Sequence, residues 1–246
     1  MNQLRVWLET YVPAVFQHRE KTEQIDIAGV KLTLRDWEGS TVLAIVPQEI
    51  LDDEYGLAGI EFHPGDVVID VGANIGIVAL YLAKKHPDIT ITAIEPVPTT
   101  YRHLVENIGL NKVRNIMPLN CAVTNDGRDL RMIVNPAHSG GSTGHLRNIR
   151  QPGHYNLMAP SRTLDSVFAE HVRDRCRLLK VDCEGAEYEI LSGARCLDRV
   201  DHLAMELHVN RFLTSQGFTP EGLVGEVSRV IPRERIAYRT TRMFDH

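Results

Sequence analysis

Residues 67–85, VVIDVGANIGIVALYLAKK, contain the feature that most restricts the fold. A short apolar run ends at Asp70, glycines follow at Gly72 and Gly76, and an apolar pattern with helical spacing then begins. This order predicts a buried strand, a tight turn and a helix that starts at the carboxyl end of the strand. The free N–H groups of that helix, and the positive end of its dipole, favour an anionic group at the turn.

The alternation of strands and helices continues along the chain. Apolar runs predict strands over 66–71, 88–95, 115–123, 177–182 and 202–207. Amphipathic segments predict helices over 76–85, 98–110, 163–172 and 186–194, and Thr219 is expected to cap a further helix. Segment 235–244 would close an edge of the sheet. This alternation is typical of an α/β protein with right-handed crossovers and a largely parallel sheet.

The chain is expected to consist of an N-terminal extension, residues 1–60, and a main domain, residues 61–246. Residues 1–20 show helical spacing, and the anchors of this helix would be Trp7, Val12 and Phe16. Residues 23–46 predict short strands with turns at Ala28-Gly29 and Glu38-Gly39, so the extension includes a β-hairpin. Residues 47–62 read as a helical or loop connector.

Composition excludes several classes of function. The chain has 246 residues, a net charge of -5 and no run of Lys or Arg, so a nucleic-acid partner is not expected. No apolar stretch reaches the ~18 residues that span a bilayer, and no signal peptide is recognised, so a cytoplasmic protein is expected. The cysteines Cys121, Cys176, Cys183 and Cys196 lack C-x-x-C spacing, which favours reduced thiols over a zinc site.

The turn departs from the dinucleotide fingerprint, because Asn74 takes the place of a glycine in Gly72-x-Asn74-x-Gly76. Asp70 would repel a pyrophosphate, whereas a ligand with both a carboxylate and an ammonium group fits. The methionine end of S-adenosylmethionine (SAM) is such a ligand. Glu95 ends the second strand, where an acid accepts hydrogen bonds from ribose hydroxyls and repels a 2'-phosphate.

The third strand ends in small residues, Cys121 and Ala122, which leave room for an adenine edge. A purely structural strand-glycine-helix turn is the alternative to a cofactor site. Glu95 would then be a solvated strand end.

Acidic residues and a histidine follow the last two predicted strands. KVDCEGAE contains Asp182, Glu184 and Glu187, and MELHVN contains Glu206 and His208. We expect all of these except Glu187 to face one pocket, and their carboxylates to need a cation. Glu187 is assigned to the helix dipole.

Two chemistries are open for this cluster. His208 has the ordinary pKa of a general base near neutral pH, with Glu184 as a second catalytic candidate. In the second chemistry, a divalent ion, Mg or Mn, is held by Asp182, Glu184 and His208. Of the two, we prefer the reaction without a metal ion. His208 as a purely structural partner of Glu184 is the third alternative.

Residues 124–161 form a long insertion in which DLRMIV and YNLMA predict a hairpin. Its glycine-rich tip, NPAHSGGSTGHL, is either an acceptor-binding loop or a mobile surface hairpin. The candidate acceptor contacts are His138, Ser139, Ser142 and His145. His138 or His145 is also an alternative to His208 as the base.

The stretches PGDVVIDVGANIG, AIEP, LNCAV, TLDSV, LLKVDCEGAEYEILSGA and MELH resemble the FkbM-like family of class I SAM-dependent methyltransferases. The resemblance covers about residues 64–208. It implies a Rossmann-like, seven-stranded, mostly parallel sheet with helices on both faces. It also implies SAM as the cofactor and methyl transfer, usually to oxygen, on sugars or secondary metabolites.

Carried over by position, the resemblance assigns a cofactor-binding set. The residues around the methionine part would be Asp70, Gly72, Ala73, Asn74, Gly76 and Asp182. Glu95 would bind the ribose, with Pro96 beside the adenine. The acid that often ends the third strand is missing, so backbone atoms or Asn120 would contact the adenine, near Cys121 and Ala122.

The expected function is therefore SAM-dependent methylation of a hydroxyl on a small metabolite or sugar. Three alternatives remain: an N-methyltransferase acting on an amine or peptide amide, an NAD-binding oxidoreductase, and a non-catalytic SAM-binding protein. The expected partner is a small-molecule acceptor, and a homodimer is left open.

Overall fold

The computed structural model describes residues 19–136, 138–140, 142 and 154–243. A helix was predicted over residues 1–20. Residues 1–18 of it, which include Trp7, Val12 and Phe16, lie outside the described residues. Residues 143–153 of the insertion also lie outside it. None of the described helices is both long and apolar enough to cross a membrane.

The elements follow one another in this order: β1 (Glu20–Ile27), β2 (Val30–Trp37), α1 (Val42–Leu51), β3 (Val67–Val71), α2 (Ile77–Lys85), β4 (Thr90–Ile94), α3 (Pro98–Asn111), β5 (Ile116–Leu119), β6 (Ala122–Thr124), β7 (Leu130–Val134), β8 (Tyr155–Ala159), β9 (Ser161–Thr163), α4 (Leu164–His171), β10 (Cys176–Val181), α5 (Glu187–Leu191), β11 (Val200–Val209), α6 (Arg211–Ser215), α7 (Pro220–Val227) and β12 (Ile236–Arg242). Short 3-10 helices span Leu57–Gly59, Arg195–Arg199 and Arg233–Arg235.

In the described part of the chain the central sheet has six strands, in the order β12-β11-β10-β3-β4-β5. Every pairing in it is parallel, as the alternation predicted. The resemblance implied a sheet of seven strands, one more than the described residues form. Within the described residues, β12 is the one strand that follows β11, and it pairs directly with β11. The carboxyl ends of all six strands therefore lie along one edge.

Helices cover both faces of the sheet, as expected for this fold class. Alternate residues of β3 point to opposite faces, so Val68 joins one apolar cluster with Leu80 of α2. Ile69 and Val71 join the other cluster, with Phe168 of α4. Each face thus buries its own apolar layer.

The strand predicted over 115–123 is interrupted. β5 ends at Leu119, and β6 leaves the central sheet to pair with β9. At the break the Asn120 side chain donates hydrogen bonds to the carbonyls of Glu95 and Pro96, at 2.8 and 3.2 Å. The apolar pattern did not reveal this break, because apolar residues continue from β5 into β6 on both sides of it.

The predicted hairpin of the extension is present as β1 and β2, which turn at Ala28 and Gly29. Residues 42–46, predicted as strand, instead begin α1. The β-branched composition favoured a strand, but burial of Val42, Leu43 and Ile50 follows helical spacing and decides the outcome. The insertion forms the predicted hairpin from β7 and β8.

Two asparagines of α3 attach the hairpin to the main domain. Asn107 accepts a hydrogen bond from the Arg35 N–H at 2.6 Å and donates to the carbonyls of Arg35 and Ile75, at 3.1 and 3.0 Å. Asn111 accepts from the Thr33 N–H at 3.0 Å and donates to the Thr33 carbonyl at 2.7 Å. The two side-chain amides thus bond to the backbone of β2 as a neighbouring strand would. The predicted boundary between the extension and the main domain, at residue 60, stays a prediction.

We expect Asn107→Ala to lower the free energy of unfolding by ~2–4 kcal/mol, because it leaves buried backbone groups without partners. Urea unfolding followed by circular dichroism measures this change. Asn156→Ala, at an exposed position in β8, is the control and should change stability by less than ~0.5 kcal/mol. Equal effects of the two substitutions would contradict the role of Asn107.

Candidate active site

A cavity of about 680 Å³ lies at the carboxyl edge of the central sheet. Its walls come from the ends of the parallel strands, from α1 and from the described residues of the insertion. This volume is in the range of sites that enclose a cofactor-sized molecule. The site residues predicted from the sequence can therefore be compared with the lining of this one cavity.

The glycine turn forms one wall. Gly72, Ala73 and Asn74 line the cavity, and the N–H groups of Gly72 and Ala73 donate to the Ile94 carbonyl at 3.0 and 2.9 Å. Gly72 and Asn74 have positive φ angles of 79° and 53°. Gly76 is not among the lining residues; a Cβ there would lie 2.5 Å from Leu104 Cδ1, so it is required for packing.

Glu95 follows β4 and reaches the same wall. Its Oε2 accepts from the Asn74 N–H at 3.0 Å, and its Oε1 accepts from the Val97 N–H at 2.9 Å. Burial raises the pKa of Glu95 to about 7, although these two hydrogen bonds act in the opposite direction. The other predicted nucleoside contacts, Pro96, Cys121 and Ala122, also line the cavity.

Asp70 lies beneath the turn and is not among the lining residues. Its Oδ1 is 3.1 Å from the Nζ of Lys180, which is also 3.5 Å from Asp182 Oδ2 and donates to the Gly72 carbonyl at 3.4 Å. Burial would lower the pKa of Lys180, but Asp70 and Asp182 raise it above its ordinary value, so the ammonium stays charged. Lys180 was not among the predicted site residues, although a lysine within the apolar run LLKVD is a signal for a buried ion pair.

His208 lies at the end of β11 among carboxylates. Its Nδ1 is 2.9 Å from Glu187 Oε1, and its Nε2 is 3.5 Å from Glu184 Oε2 and 3.7 Å from Glu206 Oε1. Burial acts to lower the pKa of His208, but the hydrogen bond and charge of Glu187, with Glu184 and Asp182, raise it to about 10. The imidazole is therefore protonated at neutral pH in the unliganded protein.

Cations of the protein already pair with the acids around His208. Arg239 of β12 lies 2.5 Å from Glu206 and 2.5 Å from Glu49, and it also pairs with Glu54. Thr241 donates to Glu206 Oε1 at 2.6 Å. The sequence analysis missed Arg239 and Glu49, because neither stands in a motif.

Asp182, Glu184 and His208 all line the cavity, as expected. Burial raises the pKa of Asp182 to about 7 in spite of the charge of Lys180. Ligand atoms of Asp182, Glu206 and His208 lie within 4.8 Å of one another. Glu206 thus takes the place that the metal hypothesis gave to Glu184.

The insertion contacts the extension over the cavity. His138 Nε2 accepts from the Thr41 N–H at 3.1 Å, and the Ser139 hydroxyl donates to Asp36 at 2.9 Å. The Asn74 amide donates to the Ser139 carbonyl at 3.1 Å. His138, Ser139 and Ser142 line the cavity. His145 lies outside the described residues.

The parallel sheet flanked by helices, with a glycine turn after β3, is the arrangement that the resemblance to the FkbM-like family implied. Residues 70–231 match the family model described as "Methyltransferase FkbM domain", which covers more than half of the chain. The chain therefore belongs to the FkbM methyltransferase family and carries a SAM-dependent methyltransferase domain.

Relatives with curated names support this assignment. "Methyltransferase 1" of Beauveria bassiana is 28% identical over 164 residues, 59% of this chain and 66% of its own length. "31-O-demethyl-FK506 methyltransferase FkbM" of Streptomyces tacrolimicus is 29% identical over 231 residues, 76% of this chain and 88% of its own length. The alignment with a solved precorrin-6y C5,15-methyltransferase from Geobacter metallireducens covers 70% of this chain and 68% of that chain, with 11% identity and a TM-score of 0.42.

The turn generates a prediction about Gly72. A Cβ at this position would lie 1.8 Å from the Asp182 carbonyl oxygen. We expect Gly72→Ala to lower the melting temperature and to weaken binding of the demethylated product, S-adenosylhomocysteine (SAH), by ~10-fold or more, which is 1.4 kcal/mol. Calorimetric titration and thermal unfolding measure the two effects.

Gly29→Ala is the matched control, because Gly29 has a similar φ of 87° and nothing within 4 Å of its Cβ position. It should cost ~1–2 kcal/mol of stability from the backbone angle alone and leave SAH binding unchanged. Normal SAH binding by Gly72→Ala would show that the turn is not part of the cofactor site.

Proposed function

We propose that this protein transfers a methyl group from SAM to a hydroxyl group of a small metabolite. The observation that carries the proposal is that one cavity is lined both by the glycine turn with Glu95 and by the acidic cluster with His208. Cofactor and acceptor could thus meet in one space. The relative from Streptomyces tacrolimicus, whose name denotes methylation at an oxygen, supports a hydroxyl acceptor.

The lining of the cavity fits SAM. Backbone groups of Gly72 to Asn74 would hold the amino-acid end, and Glu95 would accept from the ribose hydroxyls. Glu184 and Asp182 add negative charge that favours a cationic ligand. When bound, SAM supplies a methyl group on a sulfonium, which is a good leaving group. The protein then has to align the acceptor and remove its proton.

His208 is our proposed base. Its Nε2 faces the cavity side of the cluster, where Glu184 and Glu206 lie. Since its pKa is raised to about 10, His208 has to lose a proton before it accepts one from the hydroxyl. A cationic ligand in the cavity would lower this pKa toward neutral values.

We further propose that the reaction needs no divalent ion. Asp182 already lies 3.5 Å from the Lys180 ammonium, and Glu206 lies 2.5 Å from Arg239. These pairings favour the metal-free alternative over Mg or Mn at Asp182, Glu206 and His208.

Two measurements test the proposed function. Calorimetric titration with SAH, SAM and NAD separates a methyltransferase from an oxidoreductase, and binding of NAD without SAM would overturn the assignment. A radiolabelled methyl-transfer assay on paired acceptors, each scaffold carrying either a hydroxyl or an amine, tests the target atom. Labelling of the amine members alone would favour an N-methyltransferase.

For the cofactor we expect Glu95→Ala to weaken SAH binding by ~1.5–3 kcal/mol, which is ~10- to 150-fold. Affinity of the wild-type protein should fall as the pH drops below about 7, because the charged carboxylate accepts hydrogen bonds from hydroxyls more strongly. Asp88→Ala, at an exposed position before β4, is the control and should bind SAH normally. Unchanged affinity in Glu95→Ala would remove the ribose assignment.

For the chemistry we expect turnover to rise ~10-fold per pH unit while His208 is mostly protonated. The rate should level off once the pH exceeds the pKa of His208 in the complex. His208→Ala should lower kcat by ~10²–10⁴ and abolish this rise, while the protein still binds SAM.

The same assay in EDTA should give full activity. Loss of activity in EDTA that Mg or Mn restores would overturn the metal-free proposal. A fully active His208→Ala protein would transfer the role of base to Glu184 or to a histidine of the insertion.

A further inference from the structure

Glu187 is completely buried and contacts His208 directly, although its position in the first turn of α5 predicted only a role in the helix dipole. Its Oε1 lies 2.9 Å from His208 Nδ1. A carboxylate oxygen only accepts hydrogen bonds, so Nδ1 carries the proton in this contact. The tautomer of His208 is thereby determined by Glu187.

The same carboxylate holds the loop after β10. Its Oε1 accepts from the Cys183 N–H at 2.8 Å, and its Oε2 accepts from the Gly185 N–H at 3.0 Å. Glu184, between these two residues, has a positive φ of 52°, which a non-glycine residue adopts only when its surroundings impose it. Glu187 therefore fixes the backbone that presents Glu184 to the cavity.

Both contacts act on the orientation of the imidazole. With Nδ1 bound to Glu187, Nε2 faces Glu184 and Glu206. The charged groups around the ring are Glu187 on α5, Asp182 and Glu184 on the loop after β10, Lys180 on β10, Glu206 on β11 and Arg239 on β12. Of these only Glu187 contacts Nδ1.

We propose that Glu187 is a positioning residue for methyl transfer, which keeps the proton of His208 on Nδ1 and directs the free Nε2 lone pair toward the acceptor. This inference rests on the proposed function for its catalytic consequence. The arrangement follows the general logic of a carboxylate that holds a catalytic histidine in one tautomer. The Glu187 carboxylate accepts hydrogen bonds from three donors, the N–H groups of Cys183 and Gly185 and the Nδ1–H group of His208.

The contacts predict what removal of this carboxylate does. Glu187→Ala leaves Nδ1 of His208 without its acceptor, whereas Glu184 Oε2 and Glu206 Oε1 lie 3.5 and 3.7 Å from Nε2. A carboxylate accepts only from a nitrogen that carries a proton, so the proton of the neutral ring moves to Nε2. The base then no longer presents a lone pair to the acceptor.

Glu189 provides the matched control. It lies in the same first turn of α5, and Oε1 of Glu189 is 2.5 Å from Arg128 Nη1. Glu189→Ala removes the same charge from the helix N-terminus and leaves the contact between Glu187 and His208 in place. A role in the helix dipole alone predicts equal effects of the two substitutions.

The test compares Glu187→Ala, Glu189→Ala and the wild-type protein, all with ¹⁵N-labelled histidine. Nitrogen NMR near neutral pH, with and without SAH, reports which ring nitrogens of His208 carry protons. We expect wild type and Glu189→Ala to have a proton on Nδ1, and Glu187→Ala to have its proton on Nε2 alone. SAH should still bind to all three proteins, and kcat of Glu187→Ala should fall ~100-fold or more.

The wild-type spectrum alone already tests the geometry, so the proposal can be overturned even if Glu187→Ala does not fold. A wild-type His208 with its proton only on Nε2 would overturn it. So would the same spectral change, or the same loss of kcat, in Glu189→Ala. If no acceptor is methylated, the proposed function fails, while the spectra still decide whether Glu187 sets the tautomer.

Discussion

The site depends on the ion pairs that the buried Lys180 makes with Asp70 and Asp182. Lys180 lies directly opposite Asp70 in the parallel register of β10 and β3, so one ammonium serves acids on two strands. It also binds the carbonyl of Gly72, next to the point where the turn meets the Asp182 backbone. Without this cation, two carboxylates would be buried uncompensated, which costs more than the pairs themselves contribute.

Charge balance then explains how so many acids share one cavity. Arg239 pairs with Glu206, and the protonated His208 is held by Glu187. Each cation reaches its partner from a different strand or helix, so the cluster forms only when the sheet is complete. The carboxylates of this cluster favour both a cationic ligand and a proton on His208. Ligand binding and protonation of the base are therefore linked.

The extension and the insertion take part in this site although neither contains a family motif. Asp36 at the end of β2 accepts from Ser139 of the insertion, whose carbonyl accepts from Asn74 of the glycine turn. α1 forms the adjacent wall, and its position follows from the asparagines that attach β2 to α3. Both segments line the cavity in which we propose that the acceptor binds.

The sequence by itself determined which residues end the parallel strands, and therefore that Gly72, Glu95, Asp182 and His208 would meet at one edge of the sheet. Local periodicity is enough for this, because parallel strands connected by helices place their carboxyl ends together. Strand register, pairing partners and burial depend on contacts between distant segments, which local patterns do not specify. Only the tertiary structure therefore decided that Lys180 neutralises the acids below the turn, that β6 leaves the sheet, and that His208 is held and charged by Glu187.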